Sequence, residues 1–315
     1  MTKKTSRTNK QAKGMIANFK SVLILATLIS LGSSSNLINA AGETSAESLL
    51  LGVGARPAAL GDAYTAVSND AFSLAYNPAG IATMPSPELA FMHNEWLLGS
   101  SQEFIGLGYP LKRGSLGLQI TQTSLGTFTG RNALGQTEAD FTGGSMSASL
   151  GYALPLYRGF SMGGAVRHYS ETLAGYKAST MMFDLGLMMK SGSLSFGASL
   201  LNMGNGLRFI EEVSPLPQTL ALGLSKNFDM ISVTVDAKKR IQENKVEFSM
   251  GTEYFLLQGF DLRLGYAMAS AANNNALAGL GTGFGMQIGK LGMDYAFKPF
   301  GGLGNAHKFS FNIKF

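Results

Sequence analysis

Strict alternation of apolar and polar side chains runs through the chain and constrains its fold more than any other feature. Between residues 246 and 254 every second residue is apolar or Thr, and the intervening residues are Glu, Ser or Gly. Segments that begin near residues 181, 231 and 260 show the same period of two. Because successive side chains of a strand point to opposite faces, each segment predicts a strand with one apolar face. A soluble β-sandwich would give the same alternation, so the period alone leaves both folds open.

The number and length of the strands favour a membrane barrel. We predict fourteen strands, near residues 87–96, 101–110, 114–123, 143–153, 159–170, 177–190, 193–202, 217–227, 231–240, 244–254, 259–268, 279–288, 291–297 and 307–315. Most have about ten residues, the length that a tilted strand needs to cross the hydrocarbon layer. The even-numbered connections are short and the third, seventh and eleventh are long, as in outer-membrane barrels with short periplasmic turns. The predicted fold class is therefore all-β, a fourteen-stranded antiparallel transmembrane β-barrel.

The first 40 residues have the order of a secretory signal peptide. Six basic residues and no acidic residue accompany an apolar run at residues 22–31, and the segment ends in small residues at Ala40 and Ala41. This order predicts export and cleavage after Ala40 or Ala41. The apolar run is too short to span a bilayer stably, which disfavours an uncleaved anchor. A start at Met15 would give a leader of more ordinary length.

Removal of this leader changes what the charge implies. The chain has 25 basic and 20 acidic residues, so loss of the six basic residues leaves 19 against 20. The basic pI of 9.3 therefore comes from the leader, and we expect no nucleic-acid partner. The chain has no cysteine, which excludes disulfides and thiolate metal sites.

The last strand has the features of a barrel assembly signal. Phe309, Phe311, Ile313 and Phe315 occupy alternate positions, and the chain ends on the last of them. We expect this apolar face to contact the barrel assembly machinery and outer-membrane lipid, and the strand to close the sheet against the first strand.

Residues 52–86 do not alternate and are rich in Ala and Gly. Asn69 or Asp70 is expected to cap a short helix that ends at Tyr76, because Pro78 disfavours helical geometry at the residue before it. Such a compact segment would fit inside a barrel as a lumenal plug. Glycines with inward parity would leave room for it, namely Gly106, Gly108, Gly163, Gly186, Gly223, Gly265, Gly281, Gly283 and Gly285. The predicted organisation is a signal peptide (1–40), an amino-terminal plug (41–86) and a barrel (87–315).

Part of this segment resembles a known family. The run contains Arg56, Gly61, Asp62, Asn77, Pro78, Ala79 and Gly80. It is similar to the amino-terminal signature of the PorV/PorQ family, including its UPF0164 branch, whose members are related to the long-chain fatty acid transporter (FadL-like) barrels. The resemblance implies a fourteen-stranded barrel in the bacterial outer membrane with a plugged lumen. Its members divide between uptake of hydrophobic molecules, such as fatty acids, and outer-membrane work in protein secretion.

The sequence offers no catalytic, cofactor or metal site. The histidines are His93, His168 and His307, and none has a second ligand at metal spacing. The glycine run at residues 279–285 lacks the lysine and helix of a phosphate loop, so strand glycines are the better interpretation. The inward charges nearly balance, which favours a paired network that holds the plug over a solute-binding role. They are Arg167, Asp184, Asp236, Lys238, Arg240, Glu247, Glu253, Arg263 and Asp294.

Two non-enzymatic functions remain open. In the first, the barrel binds or passes hydrophobic small molecules; in the second, it is a scaffold or shuttle whose outer rim contacts proteins of a secretion system. A continuous apolar cavity would favour the first function, and an exposed apolar patch on the rim would favour the second.

Overall fold

The computed structural model describes residues 44–132, 134–268 and 276–315, so the predicted signal peptide lies outside the described residues. Fourteen antiparallel strands form one closed barrel, and β8 and β9 form a separate two-stranded ribbon. The strands are β1 (Glu88–Glu95), β2 (Ser101–Pro110), β3 (Ser115–Phe128), β4 (Phe141–Pro155), β5 (Phe160–Leu173), β6 (Tyr176–Ser191), β7 (Leu194–Gly204), β8 (Leu207–Phe209), β9 (Glu212–Ser214), β10 (Thr219–Phe228), β11 (Ile231–Arg240), β12 (Lys245–Leu257), β13 (Phe260–Ala267), β14 (Leu280–Ile288), β15 (Leu291–Pro299) and β16 (Asn305–Lys314). The predicted fourteen-stranded barrel is confirmed.

The last strand closes the barrel against the first. β16 pairs with β1 from Glu88 opposite Lys314 to Glu95 opposite His307, and the N–H of Phe315 donates to the carbonyl of Pro87 at 3.1 Å. Because every strand of the barrel has two hydrogen-bonded neighbours, the barrel sheet has no free edge. The even-numbered connections are short turns at one end of the barrel, and the longer loops lie at the other end.

The ribbon β8–β9 lies in the seventh connection, where the sequence predicted only a long loop. The side chains of Leu207 and Leu216 from this connection are buried in a cluster with Tyr169, Ala178 and Met182. The ribbon therefore packs back on the loop end of β5 and β6.

The amino-terminal segment, residues 44–86, contains short helical turns and one short helix. Helix α1 spans Ala55–Ala59, and 3₁₀ turns span Glu47–Leu50, Ser73–Ala75 and Pro78–Thr83, with others at Leu97–Gly99, Tyr157–Gly159, Ala276–Gly279 and Gly301–Leu303. Among the described residues, no helix combines the length and apolarity needed to cross a membrane.

The prediction of a capped helix ending at Tyr76 was wrong, because only the turn Ser73–Ala75 forms there. The Asp70 carboxylate accepts the N–H of Phe72, and the N–H of Asp70 donates to the hydroxyl of Ser73. These local bonds compete with helical ones. Asn77 is extended, with φ −156° and ψ 103°, as expected for a residue before proline.

Candidate functional site

The outer wall of the barrel is apolar. Large apolar side chains alternate along most strands of the barrel and are exposed or partly exposed. On β16 these are Phe309, Phe311 and Ile313, followed by Phe315 at the chain end. The intervening Ser310 is fully buried on the inner side. The predicted assembly residues therefore share the outer face, in the row that closes against β1.

Glycines on the inner wall allow the backbone of the amino-terminal segment to approach closely. A Cβ placed on Gly163 would lie 2.6 Å from the carbonyl carbon of Pro78, and one on Gly251 would lie 2.7 Å from the carbonyl oxygen of Leu60. Real Cβ atoms do not approach so closely, so any larger residue would displace the segment. Eight of the nine glycines predicted to face inward have atoms of this segment within van der Waals contact of such a Cβ: Gly106, Gly108, Gly163, Gly186, Gly223, Gly265, Gly281 and Gly283. Gly285 instead accommodates the side chains of Arg263 and Asp294.

The turn formed by Asn77, Pro78, Ala79 and Gly80 packs against β5 and β6. All four residues are buried. The Asn77 amide donates to the carbonyls of Thr65 and Leu187, each at 2.9 Å, and its oxygen accepts the N–H of Ala79. Asn77 therefore links two parts of the segment to the barrel wall.

Arg56 connects the segment to the opposite wall. Its guanidinium donates to both oxygens of Glu253 at 3.0 and 2.9 Å, and to Tyr64 and Asn69. Glu253 also accepts from Arg263 at 2.7 Å. Arg263 then pairs with Asp294 at 2.5 Å, so the network continues from the segment across three strands.

The loop around Asp62 is held by β11, β15 and β16. Lys298 donates to the Asp62 carboxylate at 2.7 Å, Lys238 donates to its carbonyl at 2.5 Å, and Lys308 donates to the carbonyl of Gly52. Burial alone would raise the pKa of Asp62, but the three ammonium groups outweigh it and lower this pKa to about 2. Asp62 is therefore a carboxylate at neutral pH and balances only one of three nearby positive charges.

The remaining predicted inward charges pair chiefly within the wall. Arg167 contacts Asp184 at 2.8 Å, and Arg240 contacts Glu243 and Glu247. Asp236 differs, because its carboxylate accepts two backbone N–H groups of the segment. Of the nine charged residues, Asp236, Lys238 and Glu253 form hydrogen bonds to the segment through their charged groups. Arg167 adds a longer hydrogen bond, of 3.4 Å, to the carbonyl of Leu74.

Sequence reasoning missed Lys298 and Lys308. Lys298 shares the parity of Asp294, which was predicted to face inward, and Lys308 shares the parity of the buried Ser310. Lys298 was overlooked because the strand was predicted to end at residue 297, whereas β15 continues to Pro299. Parity counted to the true strand end would have identified it.

A cavity of about 410 Å³ lies above the segment on the loop side. Leu49, Leu50, Leu51 and Val53 line it. Six basic residues line it together with Asp62 and Glu247, namely Arg167, Lys238, Arg240, Lys245, Lys298 and Lys308. The cavity therefore combines apolar side chains from the segment with an excess of positive charge from the wall.

Within the described ranges, no group of three or more His, Cys, Asp or Glu side chains has the arrangement of a metal site. His93 pairs with Glu103 at 2.7 Å on the outer wall, and His307 contacts the hydroxyl of Tyr295 at 2.9 Å. His168 is exposed on β5. The three histidines thus have separate surroundings.

Comparison with solved structures shows the same fold in known barrels. The CymD monoaromatic hydrocarbon channel aligns with a TM-score of 0.62 and 15% identity, over 84% of this chain and 98% of that chain. The toluene transporter TodX of Pseudomonas putida gives 0.59 and 14%, over 83% and 96%. A FadL homologue of Pseudomonas aeruginosa gives 0.56 and 11%, over 82% and 97%. At these identities the likeness concerns the fold.

No curated protein sequence matches the chain. The profile of the uncharacterised protein family UPF0164 matches residues 24–209, which is more than half of the chain and includes the run from Arg56 to Gly80. The resemblance stated from that run is therefore confirmed, and the chain belongs to the UPF0164 family, of the PorV/PorQ type, with a FadL-like barrel fold.

Proposed function

We propose that the chain is a bacterial outer-membrane barrel that binds and passes hydrophobic small molecules carrying an anionic group, such as fatty acids. The cavity carries this proposal, because its leucines suit an apolar chain and its unbalanced lysines suit a carboxylate. The apolar outer wall and the fold shared with hydrocarbon channels support residence in the outer membrane. Export by a signal peptide and insertion by the assembly machinery are parts of the same proposal, and the role is non-enzymatic.

The proposal includes a plug formed by the amino-terminal segment. The contacts of Arg56, Asp62 and Asn77 with different walls support it, because they span the barrel interior. The backbone hydrogen bonds between the strands of the closed barrel do not involve the segment. Deletion of residues 55–82 should therefore leave a barrel that still inserts into the membrane. That deletion should raise passive permeability to small solutes and abolish selective uptake.

Uptake by proteoliposomes tests the function. Vesicles with the intact protein should take up long-chain fatty acids faster than empty vesicles. The double variant K298M/K308M should slow this uptake at least tenfold, because the carboxylate loses its counter-charges, while uptake of toluene should stay within twofold. Equal uptake by protein-containing and empty vesicles for all probes would refute transport.

The second candidate is a scaffold for secreted proteins or their machinery, and exposed loop tips favour it. Leu98, Leu134 and Ile210 are 88%, 83% and 74% exposed, each in a different odd-numbered connection at the loop end of the barrel. Leu98 and Ile210 also have positive φ, 56° and 55°, where bulky residues are strained. Replacement of all three by Ser should leave fatty acid uptake intact if the first function holds, and should impair secretion only if the second does.

A further inference from the structure

An apolar groove of about 530 Å³ lies on the outer wall over β3 to β6, outside the lumen. In one cross-strand row, Leu116, Tyr152, Gly164 and Leu185 are consecutive neighbours. Gly164 has no side chain, so the row has a gap between Tyr152 and Leu185. The row on its loop side continues the groove with Leu150, Val166 and Phe183.

Packing does not require a glycine at this position. A Cβ on Gly164 would meet its nearest atoms, in Asp184 and Leu185, at 3.6 Å, which is an ordinary contact. The neighbouring Gly163 differs, because a Cβ there would collide with Pro78 of the segment. The gap in the outer wall is thus not a consequence of fitting the segment inside.

Basic side chains cluster at the short-turn end of the same strands. Lys112 and Arg113 lie in the turn between β2 and β3, and Arg158 lies in the turn between β4 and β5. All three are exposed. Tyr152 of the groove donates its hydroxyl to the carbonyl of Arg113, which joins the groove to this cluster. The other four short turns contain one more basic residue, Lys290, and the acidic Asp229.

The groove lies within the leaflet next to the short turns. Gly164 is four residues above Phe160, the first residue of β5, or about 13 Å at ~3.3 Å per residue along the strand. With a strand tilt of ~40° this is a depth of about 10 Å, within the ~15 Å that one leaflet contributes to the ~30 Å hydrocarbon layer. A chain that fills the groove therefore starts from a head group at the level of Lys112, Arg113 and Arg158.

We propose that this surface is a binding site for an anionic phospholipid of the leaflet next to the short turns. One acyl chain occupies the gap at Gly164, and the phosphate contacts the three basic side chains. The inference rests on the proposed membrane residence, but it is separate from the lumenal cavity. Each basic residue near an anionic head group contributes about a fivefold preference.

Native mass spectrometry of the purified full-length barrel, with phosphatidylglycerol or phosphatidylcholine of identical chains, tests the site. The wild type should bind phosphatidylglycerol at least tenfold more tightly, and K112Q/R113Q/R158Q should bind both lipids equally. G164L, or G164V if Leu perturbs folding, should weaken both lipids alike. The matched controls are K290Q for charge and A237L for bulk on the outer face of β11, and they should leave binding unchanged.

Equal binding of the two lipids by the wild type would overturn the inference, as would an undiminished preference in the triple variant. Unchanged lipid binding by folded G164L would do so too. Heat-modifiable migration shows that each variant is folded. Fatty acid uptake measured on the same preparations separates the two proposals, because loss of lipid selectivity with intact uptake overturns only the lipid site. Absence of the barrel from outer membranes would overturn the proposed function, on which the lipid site rests.

Discussion

Replacement of Asp236 by Ala should loosen the amino-terminal segment without opening the barrel. One oxygen of Asp236 accepts the N–H groups of Tyr64 and Thr65, each at 2.9 Å, and the hydroxyl of Thr65 at 2.7 Å. All three residues are buried, so the variant leaves two buried N–H donors without a partner. Each such donor costs about 1–3 kcal/mol. The second oxygen of Asp236 has no partner within the described chain, and loss of this desolvated carboxylate offsets part of the cost.

We therefore expect the opening free energy of the segment to fall by about 2–3 kcal/mol, which is roughly 30- to 150-fold faster amide exchange. Hydrogen exchange of the peptide that contains Tyr64 and Thr65 measures it. D236N keeps an acceptor and should change exchange less, and D261A removes a carboxylate that pairs with Arg263 on the wall and should change it little. Unaltered exchange in a folded D236A barrel would refute the assignment of this contact as an anchor.

Three further perturbations address the segment and the last strand. G163L should overpack the interior at Pro78 and destabilise the segment by roughly 1–3 kcal/mol, seen as faster proteolysis of the segment, while resistance equal to wild type would contradict the packing. F315D should prevent accumulation of the heat-modifiable form in outer membranes, because it places a charge on the outer face of the closing strand; wild-type amounts would contradict the assembly role. Because the folded-state pKa of Asp62 is about 2, below its ordinary 3.8, its contribution of about 2 kcal/mol is present above pH 4 and is lost as the pH falls towards 2. Proteolysis of the segment against pH, with a pepsin-like protease, should show this loss in wild type and a smaller loss in K298M, which keeps Lys238 and Lys308 near Asp62.

The fold could be predicted from the sequence because its signal is local. A barrel wall with an apolar outer face and a packed interior imposes a period of two on its strands, and turn glycines mark the short connections. The bounds predicted for β2 and β11 agree with the structure at both ends. The prediction fell short for β3 and β4, which extend to Phe128 and from Phe141. Their pairing shifts register between Ser124 and Thr127, and such an irregularity breaks the alternation from which strand ends are read.

The site was only partly predictable, because parity gives the face of a residue but not its partner. Parity identified the inward glycines and nine inward charges. It could not show that Glu253 joins Arg56 to Arg263, since that contact depends on where the segment lies in the barrel. The helix expected before Tyr76 failed for a different reason: the side chain of Asp70 satisfies backbone groups that a helix would have used.

The contacts of the segment differ in how readily they can be broken, and this bears on the proposed transport. Around Gly163 and Gly251 backbone lies directly on backbone, so movement there would open voids in a close-packed interior. The loop at Asp62 is held instead by lysine side chains that also line the cavity, and Asp62 balances only part of their charge. An anionic ligand in the cavity could replace the Asp62 carboxylate at Lys298 with little loss of electrostatic energy, because one carboxylate exchanges for another. A route through the barrel would therefore begin at this loop, and the glycine-packed parts of the segment would stay in place.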